Sequence, residues 1–156
     1  MNIKLIIIGF ISVFIFFLNS CVSIPKTNGY ELILEGEKEY YVEIESVNVI
    51  IDRIRENDIS TQFEQITETI LHNKKTDIGE LLSLDICINQ RGFYKGLDKY
   101  NSIYLLYSLT DETGNVVFKQ GYFVNSLKSL EQSVFQCELS EILVKKVNDF
   151  LKRRGN

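Results

Sequence analysis

Alanine and tryptophan are absent from this sequence, and proline and histidine occur once each. The shortage of histidine limits the chemistry available. Any Ser-His or Cys-His dyad has to use His72, and metal sites needing several histidines are excluded by count. His72 falls at the predicted end of a helix, where attraction of a positive ring to the helix dipole is the simpler account of it. Cysteine is scarce as well, at three, and forms neither a CxxC pair nor a zinc-ligand spacing. The glycines make no GxGxxG and no Walker sequence. A basic stripe is also missing, and the formal net charge is −4. Neutralising phosphates requires clustered Lys and Arg, so no nucleic-acid partner is expected. No cofactor is expected either.

What is present divides unevenly. The 156 residues suit one domain, at 45% hydrophobic and 24% charged. The first twenty are different in kind, with Lys4 their only charge and residues 5–18 almost unbroken in apolar character. That run is shorter than the roughly 20 residues a membrane-spanning helix needs, and matches the length of a secretory signal core. An uncleaved anchor helix is the alternative.

The run closes on Leu18-Asn19-Ser20-Cys21. This stretch resembles the lipobox of bacterial lipoproteins: an aliphatic residue, a permissive position, a small residue, then cysteine. Asn19 departs from the usual small or aliphatic choice. The resemblance covers residues 1–20 and the junction, not the domain. It implies a diacylglycerol joined by thioether to Cys21, and cleavage between Ser20 and Cys21. The physical logic agrees. A thiol is a strong nucleophile for alkylation, and two or more acyl chains anchor stably where one does not. Val22 is not acidic, and by resemblance this favours the outer membrane facing the periplasm, if the host has one. Residues 21–29 carry the lipidated Cys and a short tether with Pro25 and Gly29. Residues 30–156 form the domain.

Within the domain, Val- and Ile-rich residues 30–34 and 40–51 read as strands. The second changes phase near Ser46, which predicts a bulge or bend. Thr61 with Glu64 has the spelling of a helix-capping box, followed by Phe63, Ile66 and Ile70 on one helical stripe. Alternation in residues 82–89, 103–109 and 116–124 predicts three more strands. Gly114 is placed to turn the last two into a hairpin. Ser129 with Gln132 spells a second capping box, ahead of the stripe Leu139, Leu143, Val147 and Phe150. The order β-β-α-β-β-β-α predicts an α+β fold, a mainly antiparallel sheet with two helices on one face.

Residues 90–99 read as a loop. Its Phe93 and Tyr94 are candidate contacts for a partner, although aromatics folded back onto the sheet are the commoner case. Cys87 and Cys137 could pair, or simply pack as small apolar groups. Alternating Glu43 and Glu45 fit a solvated strand face. The element order loosely resembles small envelope-assembly and lipid-transport auxiliary lipoproteins, with no domain motif to carry residues across. The expectation is a lipid-anchored binding or scaffold module in an envelope protein complex. An envelope hydrolase using carboxylates or His72 is the alternative.

Overall fold

The computed structural model describes residues 26–31, 40–72 and 79–153. The signal segment, Ser20 and Cys21 lie outside these. The elements are β1 (Lys26–Glu31), β2 (Tyr40–Ile51), β3 (Ile54–Arg55), α1 (Asn57–His72), β4 (Glu80–Lys95), β5 (Asp98–Asp111), β6 (Val116–Ser126) and α2 (Ser133–Lys152). The expected α+β order is present, with the very short β3 added after β2. The first strand starts at Lys26, so the last part of the expected tether is paired with the sheet.

The strands make one six-stranded sheet in the order β1-β6-β5-β4-β2-β3. Every pairing is antiparallel except β2 with β4. That parallel pair needs a crossover, which α1 provides. The phase change in β2 is a register shift between Ile44 and Ser46, as the alternation predicts. It lets Val42 and Ile44 on one side of the shift, and Val47 and Val49 on the other, face the same core.

Leu82, Leu84, Ile86 and Ile88 on β4, and Ile103, Leu105, Tyr107 and Leu109 on β5, are buried along one sheet face. Burying each such side chain contributes about 1.5–3 kcal/mol. Phe63 of α1 and Leu139, Leu143, Val144, Val147 and Phe150 of α2 cover that face. Residues of the opposite parity, such as Ser83, Asp85, Cys87 and Asn89, are half-exposed. The sheet is therefore closed on one side, and no described element lies on the other.

Polar side chains hold the layers in place. Ser60 Oγ donates to the Glu56 carbonyl (2.7 Å) and accepts from the Val49 amide (3.0 Å), fixing the start of α1 against β2. Thr67 Oγ1 donates to the Phe63 carbonyl and lies 2.9 Å from Ser140 Oγ, a buried hydroxyl pair between the two helices. Tyr107 donates to Gln120 Oε1 (2.9 Å), and burial raises its pKa.

Neither capping box is used. Helix α1 begins at Asn57, so Thr61 lies inside it and donates to the Asn57 carbonyl at 3.1 Å. Ser and Thr satisfy themselves this way within helices. Helix α2 begins after Gln132, which makes no side-chain cap. Ser129 instead accepts from Gln90 Nε2 at 2.9 Å, because Gln90 is the last buried position of β4 and has to be satisfied there.

Candidate functional site

The expected loop at residues 90–99 is a hairpin. Strands β4 and β5 stay paired out to Lys95 and Asp98, leaving Gly96 and Leu97 as a two-residue turn. Gly96 has φ 67, and glycine at the first turn position is what a tight hairpin of this kind favours. The sequence hides this because Gly92 and several polar residues break the alternation. Residues 91–99 are all exposed, so the hairpin projects past the rest of the sheet.

Phe93 and Tyr94 occupy opposite faces of this hairpin. Phe93 stacks on its cross-strand neighbour Tyr100, with ring centroids 5.7 Å apart and planes at 23°. The Phe93 ring therefore lies along the hairpin, on the side continuous with the open sheet face, and is still 36% exposed. Tyr94 is 73% exposed. The structure does not bring the two together.

The turn between β2 and β3 sits beside the base of the hairpin. Asp52 and Arg53 both have positive φ, 48 and 75. Two positive values in succession define the turn type whose twist suits antiparallel strands. An arginine there is unusual, since the left-handed region costs a side-chain-bearing residue roughly 1–2 kcal/mol. Two contacts to β4 hold the turn: the Asp52 amide donates to the Gln90 carbonyl (2.9 Å), and Asp52 Oδ1 accepts from the Gly92 amide (3.0 Å). A shallow open cleft of about 300 Å³ is lined by Asp52, Arg53, Arg91 and Gly92. Sequence reasoning missed this group. Its only advance signal was the short polar pair Asp52-Arg53 between isoleucines, which fits a two-residue hairpin turn.

The segment after β6 crosses the same end of the sheet. Gln90 donates to Ser129 and accepts from the Leu130 amide at 2.8 Å, and Asn101 Nδ2 donates to the Lys128 carbonyl at 3.1 Å. Lys128 pairs with Glu138 of α2. The turn, the hairpin and this segment together form one end of the molecule.

The remaining candidates are dispersed. Cys87 faces the open side of the sheet, level with Leu106, and burial raises its pKa. Cys137 is on α2, across the sheet, and both thiols are free. The sheet itself separates them. His72 is the last residue of α1. Glu43 and Glu45 are exposed on β2, in keeping with a solvated strand.

No family model matches the chain, and no curated protein matches it. Among solved structures it is similar to a point-substituted form of the PelC dodecamer from Paraburkholderia phytofirmans. That match has a TM-score of 0.43 and 15% identity, covering 83% of this chain and 98% of that one. A second PelC dodecamer from the same organism has a TM-score of 0.38 and 12% identity, covering 74% of this chain and 94% of that one.

Proposed function

We propose that this chain is an exported lipoprotein of the bacterial envelope, held by a diacylglycerol on Cys21, whose domain works by binding rather than catalysis. The lipobox spelling at residues 18–21 supports the anchor. Strand β1 follows Cys21 by five residues, so the folded domain would hang close to its lipid. Val22 favours the outer membrane, facing the periplasm, as the destination.

The observation that carries the binding half is the uncovered sheet face. One row of it runs Ile50, Asn89, Tyr104 and Phe123, and the next runs Asn48, Cys87 and Leu106. An uncovered sheet surface mixing aromatic, aliphatic and amide side chains suits a protein partner within an envelope complex better than a small substrate, which needs a concave site.

Detergent phase partitioning and intact mass test the anchor. The wild type should enter the detergent phase with the mass of a diacylated chain lacking residues 1–20, and Cys21→Ala should do neither. A wild-type mass that still includes Met1 to Ser20 would point instead to an uncleaved anchor helix. A photo-crosslinking residue at Leu106 tests the face. A discrete adduct in intact cells, absent when the same residue replaces exposed Glu112, supports it. Identical background labelling at both positions would dismiss it.

A further inference from the structure

The end of the molecule built from the β2–β3 turn, the β4–β5 hairpin and the start of the β6–α2 connection has an unusual composition. Seven large apolar side chains are exposed among the described residues, and Ile54, Phe93, Tyr94, Leu97 and Leu127 of these belong to this end. Leu97, at the hairpin tip, is fully exposed. Scattered surface hydrophobes need no explanation, but concentration at one projecting end does.

Two of these segments, the β2–β3 turn with β3 and the hairpin, hold five cations, Arg53, Arg55, Arg91, Lys95 and Lys99. Among the described residues none of these five makes an ion pair with a carboxylate. The carboxylates beside them are Asp52, Asp98, Glu56 directly after Arg55, and Glu131 in the connection, whose Lys128 is paired with Glu138. A locally positive end therefore stands on a chain whose formal net charge is −4. Exposed aliphatic and aromatic tips ringed by Lys and Arg have the chemistry of a surface that meets anionic lipid headgroups.

The strand register supplies the second argument. Lys26 pairs with Tyr122, Tyr122 with Leu105, and Leu105 with Ile88, so β1 begins level with Ile88. Because β1 runs antiparallel to β6, its N-terminal end points toward the hairpin tip. From Ile88 to Gly96 is eight residues of β4 and its turn, on the order of 26 Å at strand rise. From Lys26 back to Cys21 is five residues, at most about 17 Å of chain. The hairpin tip thus reaches roughly 10 Å further than a straight tether allows Cys21 to reach. That excess matches the depth of about 5–10 Å to which interfacial elements sink.

We propose that the β4–β5 hairpin tip and the β2–β3 turn are a membrane-contact surface, seated on the anionic phospholipid headgroups of the leaflet that holds the lipid of Cys21. This rests on the lipid-anchor reading. The hairpin then fixes how the domain stands on the bilayer, and the open sheet face is presented sideways, along the membrane plane.

The absence of tryptophan makes the test direct, since one introduced indole reports alone. Full-length Leu97→Trp, purified from membranes, is reconstituted into phosphatidylglycerol–phosphatidylethanolamine vesicles carrying brominated acyl chains. Glu112→Trp, in the hairpin at the other end of the sheet, is the control. The expected result is blue-shifted, bromine-quenched emission from Leu97→Trp and unquenched emission from Glu112→Trp. Flotation with the vesicles but water-like, unquenched emission at both positions overturns the proposal and leaves the anchor intact. Failure to float overturns both. On phosphatidylcholine vesicles the quenching of Leu97→Trp should fall, and undiminished quenching there overturns the role of headgroup charge.

Discussion

The Asp52 carboxylate accepts a hydrogen bond from the Gly92 amide at 3.0 Å, joining a turn and a strand 40 positions apart in sequence. The contact keeps the β2–β3 turn seated against the base of the β4–β5 hairpin. It also explains how Arg53 can persist at φ 75, since the turn is held from both sides by Ile51 pairing with Ile54 and by the bonds from Asp52.

Arg53→Gly should stabilise the fold by about 0.5–1 kcal/mol, because glycine adopts positive φ without the clash an arginine suffers. Urea unfolding should show a raised midpoint and an unchanged slope. A lowered midpoint would mean that the arginine side chain contributes more than its backbone costs.

Thr67 and Ser140 should couple. Thr67→Val removes a buried hydroxyl that donates to Phe63 and faces Ser140. It should cost about 1–3 kcal/mol, the usual penalty for leaving a buried partner unsatisfied. In the double variant with Ser140→Ala the loss should be smaller than the sum of the two single losses. Strict additivity in a thermodynamic cycle would show that the hydroxyls act independently.

Gln90→Leu should loosen the connection into α2. The amide of Gln90 satisfies Ser129 and the Leu130 backbone together, and leucine satisfies neither. A loss of about 1–3 kcal/mol is expected. Amide hydrogen exchange at Leu130 should quicken before exchange in the centre of β4 does. Equal protection at Leu130 in the variant and the wild type would count against this role.

Asp111 predicts a pH effect with a definite sign. Bonds from the Thr113 hydroxyl and the Asn115 and Thr113 amides hold its carboxyl below the usual value of 3.8. A depressed folded-state pKa adds stability above the unfolded value, and that contribution disappears as pH falls through the folded value. Asp111→Asn should therefore narrow the gap to wild type as pH drops below about 3.8. Carboxyl NMR titration reads the pKa directly, and a value at or above the ordinary one would refute the assignment.

Some of this architecture was legible in advance and some was not. The strands around Leu82 to Ile88 and Ile103 to Leu109 were readable because one face is buried and the other is not, so period-two alternation survives. The shift at Ser46 was readable for the same reason, as a break in that alternation. Helix starts were misplaced because Thr61-Glu64 and Ser129-Gln132 spell a cap without acting as one. Which hydroxyl caps a helix depends on where the backbone has already been placed by β2 and by Gln90, which is tertiary information. The hairpin at residues 91–99 was hidden because both its faces are solvated, so no burial pattern marks its strands. Its basic and apolar concentration emerges only when the turn at Asp52, distant in sequence, is brought beside it.

The pairing of β1 with β6 has a consequence for the order of assembly. Lys26 is among the first domain residues synthesised, yet its partner Tyr122 follows roughly 100 residues later. The β4–β5–β6 meander is made of neighbours and can close locally. Strand β1 should therefore dock last, after the C-terminal half of the domain has folded. Pulse-labelled exchange during refolding should protect β4 and β5 before Thr27, with the reverse order excluding this sequence of events.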